Sequence, residues 1–148
     1  MGQTIRVMLV DDEPLTRLGV RLILEASDDI KVVAEAGDGS EVVPLVQAHA
    51  PDVILMDVRM EGMNGLEATA AVRALSHPPK VIVLTTWDMD DYVMQAIESG
   101  ASGFLLKVTD PREFPATIRS VMAGDAVLSP RSTRQVLDHM RKAGSGES

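Results

Sequence analysis

A doubly wound α/β fold, with five parallel strands and helices on both faces of the sheet, is predicted by three observations on the 148 residues. Short β-branched apolar runs recur along the chain, amphipathic stretches separate them, and Pro, Gly and Asp mark the joins. With 45% hydrophobic and 24% charged residues, the make-up suits one compact domain with a single core.

The first run, Ile5 to Val10, is short enough to be a buried strand. Pro14 then suits the first turn of a helix, and Leu15, Leu18 and Leu22 keep one of its faces. Lys31 to Ala36 is the second strand, and Ser40 to Ala48 fills the following gap as a helix. Val53 to Met56 and Lys80 to Thr85 are the third and fourth strands, with a helix over Gly65 to Leu75 between them. Val93, Ala96 and Ile97 mark a further helix, Gly103 to Leu106 the fifth strand. Pro111 opens a fifth helix whose apolar face is Phe114, Ile118, Val121 and Met122. Strict alternation over Ile5 to Ala123 means a parallel sheet covered on both faces. Right-handed crossovers then favour the flavodoxin-like strand order 2-1-3-4-5. Residues 1–124 are read as this domain. Residues 125–148 are read as a linker holding a short helix, in which Val136, Leu137 and Met140 share a face before the flexible GSGES.

A net charge of -8 and 3% aromatic residues argue against direct nucleic-acid contact, which needs clustered Lys and Arg or stacking rings. Cysteine is absent, so disulfides and thiolate metal sites are excluded. MGQTIRVMLV runs straight into three acids and is neither a signal peptide nor a membrane span, so a cytoplasmic protein without a membrane partner is expected. DDEPLTR after the first strand excludes the G-x-G-x-x-G dinucleotide fingerprint, and His49, His77 and His139 have no metal-ligand spacing.

In open α/β sheets ligands bind outside the carboxyl ends of the strands, where the winding reverses, here between the first and third strands. Asp11, Asp12 and Glu13 follow the first strand, Asp57 ends the third, Thr85 ends the fourth and Lys107 follows the fifth. An Asp after a strand often only caps the next helix, and that reading is preferred for Asp38. For Asp57 it is weaker, because like charges converging on one crevice are costly unless a cation binds. Mg2+ takes about six oxygen ligands, commonly one or two carboxylates, and Asp12 and Asp57 suit it. Asp57 could then attack a phosphoryl donor as a carboxylate nucleophile, with Lys107 and Thr85 binding the new oxygens. Taken alone, Lys107 reads better as a snorkelling surface lysine.

LVDDEP, DVRMEGMNG, LTTWD and ASGFLLK, in this order, resemble the signature segments of response-regulator receiver domains of two-component systems. The resemblance covers about Ile5 to Ala123. It implies that Asp57 is the phosphoacceptor and that Asp11, Asp12 and the backbone carbonyl of Arg59 complete a Mg2+ site with it. It further implies Thr85 as switch hydroxyl, Lys107 as phosphate-binding lysine and Phe104 as switch aromatic, although an ordinary core phenylalanine fits position 104 as well. Trp87 would lie at the pocket rim. Glu61 and Val108 stand where the family carries proline, which puts the rigidity of two loops in doubt but not the chemistry.

The implied partners are a sensor histidine kinase as donor and a second copy on phosphorylation, through the helix after Thr85, the strand with Phe104 and the helix from Pro111, or through the first and fifth helices. TTWD and ESGASGFLLK are similar to the LuxR or NarL subgroup. That likeness implies that GDAVLSPRS begins the linker to a helix-turn-helix domain, which these residues do not include and through which alone DNA would be bound. No turnover enzyme is expected, only a switch that assists its own phosphorylation and dephosphorylation. A haloacid-dehalogenase-like phosphatase needs a second Asp two residues after the nucleophile, where Arg59 stands. A constitutive interaction module would have no need of Asp12, Asp57, Thr85 and Lys107 together.

Overall fold

The computed structural model describes residues 4–58, 64–85, 100–106, 110–124 and 127–128. The strands are β1 (Ile5–Val10), β2 (Ile30–Ala36), β3 (Val53–Asp57), β4 (Lys80–Thr85), β5 (Gly103–Leu106) and β6 (Val127–Leu128). The helices are α1 (Pro14–Glu25), α2 (Val42–His49), α3 (Gly65–Arg73) and α4 (Phe114–Met122). The helix expected around Val93 and the one around Val136 lie outside the described residues.

All neighbouring strands pair in parallel, in the order β2-β1-β3-β4-β5-β6. The first five strands keep the 2-1-3-4-5 order that the alternating pattern predicts. Val127–Leu128 add a sixth beside β5, with Gly103 opposite Val127 and Phe104 opposite Leu128, inside the stretch read as linker. A two-residue strand in a polar segment is too short to give a periodic signal.

Side chains alternate across the sheet and build two cores. Met8, Val10, Ile54, Met56, Val81, Val83 and Phe104 pack under α2 and α3 with Val42, Val46, Leu66 and Val72. Val7, Leu9, Val53, Leu55, Ile82, Leu84 and Leu105 face Leu24, Phe114, Ile118 and Val121, from α1 and α4. Complete burial on both faces explains why these strands read as unbroken apolar runs.

Helix α1 docks differently from its sequence pattern. Leu15, Leu18 and Leu22 share a face, but that face is 82%, 49% and 63% exposed. Val20 and Leu24, one turn apart on the opposite side, make the core contact instead. The helix is apolar on both sides, so periodicity identifies the helix and leaves its rotation open.

Asp38 behaves as a cap: its Oδ1 accepts the Ser40 N–H at 2.9 Å and starts the 3-10 turn before α2. Helix α3 begins with a reciprocal capping box. Asn64 Oδ1 accepts the Glu67 N–H at 2.9 Å, and Glu67 Oε1 accepts the Asn64 N–H at 3.3 Å.

Candidate functional site

Between β1 and β3 the winding of the sheet reverses, and the carboxyl ends of these two strands bring Asp11, Asp12 and Asp57 together. One carboxylate oxygen from each lies within 4.8 Å of the other two. Asp11 and Asp57 are 6% and 4% exposed, while Asp12 faces solvent. Two carboxylates at that spacing repel by on the order of 3 kcal/mol at an effective dielectric of ~20, a cost that a bound cation would offset. Three carboxylates, with room for further oxygen ligands on the solvent side at Asp12, fit a hard divalent ion such as Mg2+.

Backbone contacts set each acid. The Asp11 N–H donates to the Ala36 carbonyl at 3.0 Å, extending the β1–β2 ladder by one step. Asp11 Oδ1 accepts the Glu13 N–H at 2.9 Å, which turns the chain into α1. Asp57 is the last residue of β3, opposite Leu84, and the next N–H, of Val58, donates to the Leu84 carbonyl at 3.0 Å.

Sequence reasoning missed two residues at this site. Arg17 donates a hydrogen bond from Nη1 to the Asp11 carbonyl. Gly65 donates its N–H to the Val58 carbonyl at 3.0 Å, and a β-carbon on it would stand 1.9 Å from the Asp57 carbonyl oxygen. No side chain fits there. A glycine opening a helix is a poor helix former, and that was the available signal that close backbone approach required it. Arg17 had no such signal, because a guanidinium reaching a carbonyl leaves no motif.

Of the other expected site residues, Thr85 ends β4 opposite Leu106. Phe104 lies on β5, 1% exposed, within the α2–α3 core. Arg59, Glu61, Trp87, Lys107 and Val108 lie outside the described residues.

Residues 7–119 match the profile of the response regulator receiver domain. The chain belongs to that family. This receiver domain is 44% identical over 140 residues to the transcriptional regulatory protein LiaR of Bacillus subtilis, covering 95% of this chain and 66% of LiaR. Its structure resembles a LuxR-family two-component response regulator from an Aurantimonas species, with a TM-score of 0.86 at 33% identity, over 93% of this chain and 99% of the other. It also resembles the signal receiver domain of NarL from Mycobacterium tuberculosis, with a TM-score of 0.79 at 40% identity, over 82% of this chain and 98% of the other. The chain spans just under two thirds of the length of LiaR. The close likenesses place the receiver in the LuxR and NarL-type group. They do not favour a constitutive module or a phosphatase. Among the described residues no helix is long and apolar enough to cross a membrane.

Proposed function

We propose that Asp57 of this receiver accepts a phosphoryl group from the phosphohistidine of a sensor kinase in the cytoplasm, and that the acyl phosphate switches the surface read by its partners. The observation that carries this reading is the buried Asp57 carboxylate at the mouth of the β1–β3 crevice, beside two further acids. Asp57 supplies the attacking oxygen: an O–P bond forms as the donor's N–P bond breaks, and the imidazole leaves with its proton. Asp11, Asp12 and Asp57, with the Arg59 carbonyl, would hold Mg2+, which when bound shields the carboxylates and balances the phosphoryl oxygens.

Thr85 and Lys107 take the roles of donors to those oxygens, and Phe104 that of the ring that follows the Thr85 hydroxyl. The reading treats the protein as a switch and not as a turnover enzyme. A phosphoryl group adds about -1.5 to -2 charge, enough to shift a population between two nearby arrangements. Phosphorylation then favours a homodimer, and transcription control falls to a DNA-binding domain joined to the receiver.

Intact-protein mass spectrometry with acetyl phosphate and Mg2+ tests this directly. Wild type gains one phosphoryl group, while Asp57→Ala, and wild type without Mg2+, gain none. An adduct that survives in Asp57→Ala places the acceptor elsewhere and overturns the reading.

A further inference from the structure

Arg17 lies on α1, one turn beyond the acid pair, and makes none of the metal or phosphoryl contacts described above. Its guanidinium spans two elements. Nη1 donates to the Asp11 carbonyl, and Nε donates to Glu35 Oε1 on β2 at 3.2 Å. The other oxygen of Glu35, Oε2, accepts from Arg21 Nη1 at 3.3 Å, and Arg21 Nε reaches Glu25 at 3.2 Å. Glu35 is therefore held by two arginines from successive turns of one helix. The Arg17 and Glu35 side chains are 20% and 29% exposed, so this strut is better shielded than an open surface pair.

We infer that Arg17, braced by Glu35, is a positioning residue for the metal-binding acids, acting through the peptide that joins Asp11 to Asp12. The Asp11 N–H is tied to Ala36 and its Oδ1 to the Glu13 N–H. The carbonyl of the same residue is tied to Arg17, which fixes the plane of the 11–12 peptide and hence the direction in which Asp12 leaves it. Loss of partners that orient metal ligands typically costs roughly 10–100-fold in metal affinity or activity.

The inference rests on the receiver reading, and the test separates the two. Mg2+ affinity is measured by calorimetry on unphosphorylated protein, alongside thermal unfolding and the initial rate of phosphorylation at limiting and saturating Mg2+. Arg17→Ala weakens Mg2+ about tenfold, keeps a cooperative melt, and recovers most of the phosphorylation rate once Mg2+ saturates. Arg17→Lys, which keeps the charge and a donor, and Glu35→Gln, which keeps an acceptor for Arg17, fall between Arg17→Ala and wild type. An unchanged Mg2+ affinity in Arg17→Ala, beside a wild type that binds Mg2+ and takes phosphate, overturns the strut alone. A wild type that neither binds Mg2+ nor accepts phosphate overturns the receiver reading and the strut with it. Were Arg17→Ala to melt without cooperativity, the milder variants decide: wild-type affinity in both Arg17→Lys and Glu35→Gln overturns the inference.

Discussion

The two strand ends that form the site are held differently. At β1 a charged side-chain strut, Arg17 with Glu35 and Arg21, is added to the backbone contacts of Asp11. At β3 the acceptor is fixed by main chain against main chain, with Gly65 seated on the Asp57 and Val58 peptides and a capping box closing the helix above it. The charged strut tolerates graded change, because a shorter or neutral side chain weakens it by degrees. The glycine seat does not, because a single β-carbon already collides with backbone that the β3–β4 pairing holds in place.

Gly65→Ala sharpens this contrast most. Alanine is the better helix former, by less at this first helical position than the ~1 kcal/mol of a helix interior, but the new β-carbon forces either the Asp57 peptide or the start of α3 to move. Overpacking of that kind costs typically 1–3 kcal/mol, and a 1.9 Å contact with backbone belongs at the upper end. We expect a net loss of about 2 kcal/mol in urea unfolding and a larger fall in phosphorylation rate than any Arg17 variant shows at saturating Mg2+. A stable, fully active Gly65→Ala would mean that the seat gives way easily, and the contrast would collapse.

Asn64→Ala probes the same side more gently. It removes the acceptor for the Glu67 N–H while leaving Gly65 in place, and loss of such a cap costs about 1 kcal/mol. Urea denaturation measures it. No change would mean that packing of Leu66, Ala68 and Val72 already fixes the first turn, so that Gly65 acts without the cap.

How much of this was legible follows the same division. Strands β1, β3, β4 and β5 showed in the sequence because burial demands apolar runs, the edge strand β2 showed by its β-branched residues, and the gathering of Asp11, Asp12 and Asp57 followed from topology alone. The outward face of α1 was hidden because Leu15, Leu18 and Leu22 are as apolar as the side that packs. Strand β6 was hidden by its two-residue length. Arg17 was hidden for a different reason: its partner is a carbonyl, which every residue carries, so no pairing of residue types could reveal it.

The smallest expected effect lies at a second charged pair, beside the start of β2. Arg119 on α4 grips Asp29, just before β2, with Nε to Oδ2 at 2.8 Å and Nη2 to Oδ1 at 2.9 Å. The hydrogen bond from Arg119 holds the Asp29 carboxyl below its ordinary value of 3.8. A carboxyl depressed in the folded state contributes stability above its unfolded value and loses it as pH falls through the folded one, so the contribution is flat at neutral pH. Arg119→Ala should move the Asp29 titration upward, toward 3.8, in a carboxyl-detected NMR titration. Because both side chains are well exposed, it should change neutral-pH unfolding less than Asn64→Ala does. An Asp29 that titrates identically in both proteins would mean that the pair does not persist in solution. Charge would then act on the α1 side only where partial burial shields it, at Arg17 and Glu35, and the contrast between the two strand ends would rest on that strut alone.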